Sequence, residues 1–203
     1  NIKPVIVEGD SFHRYDRQEM PSQIAKAEEQ GTALTHFGPE ANHLDRLEIL
    51  FQTYSETGKG KSRKYIHNDV EALRFKKPPG TFTSWEEVGG DSDLLFYEGL
   101  HGGIITEHVN VARFVDLMIG VVPVINLEWI QKIKRDCTNR GYSQEAVVDI
   151  ILKRMPDYIH HITPQFSRTH INFQRVPLVD TSNPFVMREI PTPDESLVVI
   201  RFK

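Results

Sequence analysis

The sequence has a single cysteine, Cys137, among its 203 residues. This excludes an intramolecular disulfide and any metal site built from several cysteines, and it is typical of proteins from a reducing, cytoplasmic compartment. The 28 acidic residues outnumber the 24 lysines and arginines, so the chain is not a cationic nucleic-acid coat protein. The nine histidines show no tight spacing, and we predict no histidine metal site.

Long apolar runs are also absent. The longest, at residues 115–127, is interrupted by Asp116 and Pro123 and falls short of the roughly 20 residues that a membrane helix needs. We therefore expect neither a membrane nor a nucleic acid as a partner. Apolar residues make up 39% of the chain and charged residues 26%, a balance typical of a globular fold with a packed core.

Predicted strands and helices alternate along the chain. Continuous or β-branched apolar runs predict strands at 4–7, 93–97 and 116–124. The second and third runs do not alternate with polar residues, so we expect those strands to be buried on both faces. Helices are predicted at 21–30, 40–54, 126–137 and 143–155.

This order predicts an α/β fold with a mostly parallel sheet flanked by helices. Asn126 is the expected N-cap of the third helix. Further strands near the C-terminus are predicted at 162–164, 175–180 and 196–202.

Two carboxylates directly follow predicted strands, Asp10 after the first and Glu98 after the second. The carboxyl ends of parallel strands form the edge where ligands bind in open α/β sheets. At this edge Asp10 can accept a proton from a substrate hydroxyl, and Glu98 can order Mg²⁺ near phosphates. The alternatives are that Asp10 only caps the next turn and that Glu98 is an ordinary turn carboxylate.

The last two predicted helices form a hairpin with basic residues at both ends. Lys132, Arg135 and Asp136 lie at i, i+3 and i+4 and share one helix face. By itself this pattern is typical of a solvated charged stripe. Because Arg140 follows the first helix and Lys153–Arg154 lie near the end of the second, the hairpin could instead close as a lid over phosphates.

The segment 58–62, Gly-Lys-Gly-Lys-Ser, contains pieces of a phosphate-binding loop. A true P-loop has Gly, four residues and Gly-Lys-Ser/Thr between a strand and a helix, and this segment lacks that form. We interpret it as a polar, basic loop. Tyr65 and His67, which follow it, suit the binding of an anionic substrate.

Longer blocks of this sequence resemble bacterial phosphoribulokinases, which belong to the phosphoribulokinase/uridine kinase family of P-loop kinases. The blocks are EGDSFHR at 8–14, FYEGLHG at 96–102, VVPVINLEWIQKI at 121–133, NFQRVP at 172–177, VDTSNPF at 179–185 and IPTPDES at 190–196. Together they spread the resemblance over nearly the whole chain. It also extends to related proteins of bacteria that do not fix carbon.

The resemblance implies a kinase that transfers the γ-phosphate of ATP to the 1-hydroxyl of ribulose 5-phosphate and yields ribulose 1,5-bisphosphate, a step of the Calvin cycle. ATP and Mg²⁺ are the implied cofactors. NADH and AMP are the implied effectors, and a cytoplasmic homo-oligomer is expected.

The resemblance also implies roles for the catalytic residues. Asp10 matches the general base, and Glu98 matches the acidic residue that orders Mg²⁺. Lys132, Arg135 and Asp136 match the catalytic set of a helical lid at about 128–156.

Other matching residues contact ligands in that family. The substrate contacts match His13, Arg17, Tyr65, His67 and Arg140. Lys153–Arg154 fall where two arginines of the nucleotide lid are usual, and a lysine cannot give the same bidentate fork. Arg201 matches an arginine tied to regulation by NADH and AMP.

The sequence departs from the family at its start. The strand, P-loop and helix that open the family, roughly 30 residues in all, have no counterpart before Lys3. We therefore expect residues 1–203 to form a single kinase domain that is truncated at both ends and inactive without the phosphate loop. The alternatives are a non-catalytic regulatory relative that binds a sugar phosphate or nucleotide, and a kinase for a different phosphorylated sugar or nucleoside.

Overall fold

The computed structural model describes residues 1–187 and 189–203, and these divide into two compact units. Unit 1 comprises Asn1–Asp116 and Asp157–Gln165. Unit 2 comprises Leu117–Pro156 and Phe166–Lys203. The expectation of one kinase domain with a lid hairpin stays a prediction.

Unit 1 contains a parallel strand pair and an antiparallel one. β1 (Pro4–Glu8) and β4 (Leu94–Glu98) pair in parallel, with Glu8 opposite Glu98, and β2 (Lys59–Ser62) and β3 (Glu86–Gly89) pair in antiparallel fashion. The elements of unit 1 are β1 Pro4–Glu8, α1 Glu19–Glu29, α2 Leu44–Thr57, β2 Lys59–Ser62, α3 Asp69–Phe75, β3 Glu86–Gly89 and β4 Leu94–Glu98.

The core of unit 1 forms around α2. Leu44, Leu47 and Leu50 recur at helical spacing, so one stripe of α2 is buried and packs with Val7 of β1 and with Phe12. The helix ends at Gly58, whose φ of 71° lies in the left-handed region that favours glycine. The buried stripe therefore fixes β1, and with it the residues that follow β1.

Unit 2 contains a mixed sheet and a helical hairpin. β5 (Ile119–Val122) pairs in parallel with β6 (Ile171–Pro177), and β6 pairs in antiparallel fashion with β7 (Ser196–Phe202). Ile133, Val147 and Ile151 form the apolar contact between the two helices. The elements of unit 2 are β5 Ile119–Val122, α4 Ile125–Arg140, α5 Gln144–Asp157, β6 Ile171–Pro177 and β7 Ser196–Phe202.

These elements confirm the α/β fold with parallel strand pairing, which occurs at β1–β4 and at β5–β6. The prediction of strands buried on both faces is wrong, because Leu94 and Phe96 of β4 are about half exposed and Val121 of β5 is 79% exposed. Successive side chains of a strand point to opposite faces, and only one face of each strand is covered here.

The segment predicted as a polar loop is strand β2, so the loop prediction is wrong. The segment does not link a strand to a helix: it follows α2, it forms strand β2 paired with β3, and the next helix, α3, begins only at Asp69, which confirms that it is not a P-loop. Gly60 lies so close to α2 that an added Cβ would stand 2.3 Å from Leu50 Cδ1. The glycine therefore serves packing against the helix and not a phosphate.

Two further local predictions are wrong, and one helix was not predicted. Residues 162–164 are helical, in a π turn at Tyr158–Ile162 and the 3₁₀ segment that follows. Asn126 is not the N-cap of α4, because the helix already begins at Ile125. The sequence reading also missed α3, whose N-cap Asn68 accepts a hydrogen bond from the Glu71 amide.

Within the described part of the chain, no helix combines the length and the apolar character needed to cross a membrane.

Candidate functional site

The ends of β1 and β4 approach each other closely through two glycines. A Cβ on Gly9 would stand 2.8 Å from Gly99 Cα and 2.7 Å from Tyr97 Oη, so only glycine fits there. The chain then turns through a 3₁₀ segment at Gly9–Phe12 that carries Asp10. Glu98 is the last residue of β4, so the prediction that both carboxylates lie at the same edge of the strand pair is confirmed.

Asp10 is held by two histidines. Its Oδ1 lies 3.1 Å from His13 Nε2, and its Oδ2 lies 4.0 Å from His67 Nε2. The hydrogen bond from His13 holds the pKa of Asp10 below its usual range, outweighing the burial that would raise it. The side chain keeps 47% of its exposure, so Asp10 is an ionised carboxylate that a substrate can reach.

An arginine that the sequence reading missed fixes the turn that carries Asp10. Arg63 Nε donates to the Ser11 carbonyl at 2.9 Å, and Nη2 donates to the His13 carbonyl at 2.5 Å. The guanidinium lies 3.6 Å from the centre of the Phe82 ring and 4.8 Å from that of Trp85. Burial lowers the pKa of Arg63 to about 10, so it stays charged at neutral pH.

The predicted substrate contacts Arg17, Tyr65 and His67 lie together. Arg17 Nη2 donates to the His67 carbonyl at 3.2 Å, and the Tyr65 and His67 rings meet edge to face at 4.9 Å. The Arg17 guanidinium stands 6.0 Å from the Tyr65 ring centre. The structure thus joins Arg17, Tyr65 and His67 to Asp10 and His13 in unit 1, as a cationic and aromatic surface beside one carboxylate.

Glu98 is an exposed carboxylate at the end of β4. The described residues contain no group of three or more His, Cys, Asp or Glu side chains placed to hold a metal ion. Mg²⁺ characteristically binds one or two carboxylates together with waters and substrate phosphates. One or two carboxylates at this strand end therefore fit a magnesium ion that arrives with a nucleotide, and they do not fit a resident metal enclosed by protein.

A second charged cluster lies in unit 2 around Asp136. The Asp136 side chain is only 3% exposed and accepts from Lys132 at 2.5 Å and from Arg135 at 3.0 Å, and Arg140 Nη1 lies 3.1 Å from its Oδ1. The interpretation of this helix face as a solvated stripe is therefore wrong for Asp136. Burial of the carboxylate between cations makes it the centre of an organised cluster.

The pKa shifts in this cluster follow from burial and from the neighbouring charges. Burial would raise the pKa of Asp136, but the hydrogen bonds from Lys132 and Arg135 outweigh it and lower that pKa. Burial lowers the pKa of Lys132 and of Arg154, with Asp136 opposing the shift in both. Because three cations contact one carboxylate and Arg154 interacts with it electrostatically, the cluster carries excess positive charge and can bind phosphates.

The remaining predicted residues also lie in unit 2. Arg140 belongs to the Asp136 cluster, Lys153 is exposed on α5, and Arg201 is exposed on β7 opposite Asn172. The roles assigned to these residues stay predictions.

Gln165 and Asn42 are further buried polar residues that the sequence reading missed. Gln165 accepts from the Gly103 amide and donates to the carbonyls of Leu100 and His161, which ties down the loop after Glu98. Asn42 contacts His13 from 29 residues away. No local pattern marks either residue, because each acts only through contacts distant in sequence.

Comparison with known proteins gives close relatives over the whole chain. The chromosomal phosphoribulokinase of Cupriavidus necator is 63% identical over 202 residues, which are 99% of this chain and 69% of that protein. The probable phosphoribulokinase of Escherichia coli is 57% identical over 203 residues, 100% of this chain and 70% of that protein.

Solved structures give the same result for the fold. The structure of phosphoribulokinase from Rhodobacter spheroides matches with a TM-score of 0.90 and 55% identity, covering 100% of this chain and 71% of that one. A D-glycerate 3-kinase from Cryptococcus neoformans, at 14% identity and a TM-score of 0.51, shares the fold alone.

The family model described as "Phosphoribulokinase / Uridine kinase family" matches residues 1–182. This match takes in the Asp10 surface of unit 1 and the Asp136 cluster of unit 2. Together with relatives that are about 60% identical over the full chain, it shows that the chain belongs to the phosphoribulokinase/uridine kinase family.

Proposed function

We propose that this protein is a phosphoribulokinase, which transfers the γ-phosphate of ATP to the 1-hydroxyl of ribulose 5-phosphate. The observation that carries the proposal is the half-exposed, ionised Asp10 at the carboxyl end of a parallel strand pair, with His13 and His67 on its two oxygens. Relatives named phosphoribulokinase at 57–63% identity support this substrate.

Asp10 acts as the general base. It withdraws the proton of the acceptor hydroxyl as that oxygen attacks the γ-phosphorus. Arg17, Tyr65, His67 and His13 bind and orient the sugar phosphate around it. Glu98 would hold Mg²⁺, which neutralises charge on the β- and γ-phosphates when bound.

The cluster around Asp136 binds the transferring phosphates. Lys132, Arg135 and Arg140 supply positive charge where negative charge develops, and Lys153–Arg154 contact the nucleotide. Asp136 is buried and is already shared among three cations, so it positions them and does not itself touch substrate. In P-loop kinases, the backbone amides of the P-loop bind the β- and γ-phosphates of the nucleotide.

We also propose NADH and AMP as effectors acting through Arg201, and a homo-oligomer in the cytoplasm. The exposed place of Arg201 on β7 supports a ligand contact there. Calorimetry with each effector on the parent and on Arg201→Ala tests this contact, and sedimentation tests the assembly.

Phosphorus NMR of the full-length protein with Mg-ATP and ribulose 5-phosphate tests the activity. Formation of ribulose 1,5-bisphosphate is the expected result. Binding of the sugar phosphate without turnover would instead favour the regulatory alternative. Turnover only with another phosphorylated sugar or nucleoside would favour a kinase of different specificity.

A further inference from the structure

Asn42 is a buried side chain whose orientation is fixed by its surroundings. It is 2% exposed, and its Nδ2 donates to the carbonyls of His36 at 3.0 Å and Gly38 at 2.7 Å. Carbonyl oxygens only accept hydrogen bonds, so the amide nitrogen must face them. The amide oxygen therefore faces the other way, toward His13.

This orientation dictates where the protons of His13 lie. Asn42 Oδ1 stands 2.8 Å from His13 Nδ1 and can only accept, so Nδ1 carries a hydrogen. On the other side of the ring, Nε2 stands 3.1 Å from Asp10 Oδ1. A bare ring nitrogen and a carboxylate oxygen are both acceptors, so this contact requires a second proton between them.

We propose that Asn42 is a positioning residue for phosphoryl transfer. The amide oxygen of Asn42 accepts a hydrogen bond from His13 Nδ1, and this lock keeps a proton between His13 Nε2 and Asp10 Oδ1. The proposal rests on the phosphoribulokinase function proposed above.

The lock decides which oxygen of Asp10 does the chemistry. Oδ1 is occupied by the proton shared with His13, so Oδ2 is the oxygen that takes the proton of the acceptor hydroxyl. Without Asn42, the His13 ring could flip, or it could be a neutral imidazole that carries its one hydrogen on Nε2. Asp10 would then share its two oxygens between ring and substrate in a changing geometry.

Several titratable or charged groups surround the pair. The His36 ring packs on the His13 ring at 4.3 Å, His67 faces Asp10 Oδ2, and Arg63 donates to the His13 carbonyl. His101 also interacts with His13, but burial lowers the pKa of His101 to about 4 and keeps it neutral near pH 7. Asp10 is thus the anionic partner of His13 among these groups.

Ring-nitrogen NMR of the free full-length protein tests the lock directly, with the His13 signals assigned by their loss in His13→Gln. We expect Nδ1 to be protonated in the parent and to lose that fixed state in Asn42→Leu. A parent ring that carries its hydrogen on Nε2 and none on Nδ1 would overturn the proposal.

A double-mutant cycle tests the link to catalysis. Asn42→Leu should lower kcat by about 10- to 100-fold, the range seen when the partner that orients a metal-bound histidine is lost, with the KM for ATP nearly unchanged. In the His13→Gln background the same change should lower kcat no further. Equal losses in both backgrounds would show that Asn42 acts by structure alone and would overturn the proposal.

Thr35→Val is the matched control. Thr35 is buried in the same loop, where its hydroxyl donates to Asp157 and accepts from the Phe37 amide, but it does not bond to His13. Thr35→Val should lower the stability of the protein and leave kcat within a few-fold of the parent. A kcat loss equal to that of Asn42→Leu would count against the lock.

The two arms separate this inference from the proposed function. If the full-length protein does not phosphorylate ribulose 5-phosphate, the proposed function fails, while the NMR arm still decides the protonation of His13. If Asn42→Leu does not fold, the parent spectrum decides it, and Asn42→Ser gives the smaller side chain for kinetics.

Discussion

Asp10 in unit 1 and Asp136 in unit 2 are two aspartates whose neighbours lower their pKa in the same direction, yet their surroundings differ. Asp10 is 47% exposed and faces two imidazoles, one at 3.1 Å and one at 4.0 Å. Asp136 is 3% exposed and is enclosed by an ammonium and two guanidinium groups within 3.1 Å.

The difference separates two uses of a carboxylate. Asp10 keeps one oxygen that a substrate can reach, so it can take up a proton. Both oxygens of Asp136 are in contact with cations, which lower its affinity for a proton. Without the carboxylate, these cations would repel one another. We therefore assign proton transfer to Asp10 and the positioning of cations to Asp136.

Replacing Asp10 should have the largest effect on turnover. Asp10→Asn keeps the size of the side chain but removes the base, so kcat should fall by about 10²–10⁴-fold while the KM for the sugar phosphate changes little. Steady-state kinetics on the full-length protein measures both. Asp91→Asn is the control, because Asp91 is an exposed carboxylate that pairs with Lys3 near the opposite ends of the strands. Turnover of Asp10→Asn within a few-fold of the parent would remove Asp10 from the mechanism.

Acid should weaken the two units over different pH ranges. Burial lowers the pKa of His101 in unit 1 from 6.5 to about 4, so between these values the unfolded chain binds a proton that the folded chain does not. The free energy of unfolding should therefore fall by up to about 3 kcal/mol as the pH drops through this range. The carboxylate of Asp136 stabilises unit 2 above the ordinary aspartate pKa of about 3.9, and this contribution is lost only at lower pH.

The chain offers one tryptophan in each unit for this measurement, Trp85 in unit 1 and Trp129 in unit 2. Denaturant unfolding of Trp129→Phe and of Trp85→Phe follows each unit in turn between pH 7.5 and 4.5. His101→Gln can keep the hydrogen bond to the Phe37 carbonyl and should reduce the pH dependence seen by Trp85. Part of the dependence should remain, because burial also lowers the pKa of His43 in unit 1 to about 4. If the free energy of unfolding depends on pH as strongly in His101→Gln as in the parent, another group causes the loss of stability in acid.

Neutralising Asp136 should have a smaller effect on stability. Asp136→Asn leaves Lys132, Arg135 and Arg140 without a counter-charge, and it should cost about 2 kcal/mol, because water screens the half-exposed arginines. Denaturant unfolding followed by Trp129 measures this loss, and added salt should recover part of it. Asp149→Asn, an exposed site on the partner helix α5, is the control. Equal stability of the Asp136 and Asp149 variants would contradict the cluster.

Local sequence patterns determined much of the fold. The leucine spacing of α2 and the apolar runs of β1 and β4 require only neighbours along the chain, and the structure confirms them. Glycine after each of these strands placed Asp10 and Glu98 at a strand end for the same local reason. Patterns that depend on a distant partner failed: β2 looked like a loop because only its pairing with β3 makes it a strand.

The sequence by itself determined the α/β class, the family and Asp10 as a carboxylate at a strand end. Only the tertiary structure decided that Asp136 is buried among cations and that Asn42 and Arg63 hold the Asp10 turn. The physical reason is that propensity and periodicity are carried by neighbouring residues. Burial and hydrogen bonding, which set the proton affinity of a carboxylate, depend on residues that folding brings together from far along the chain.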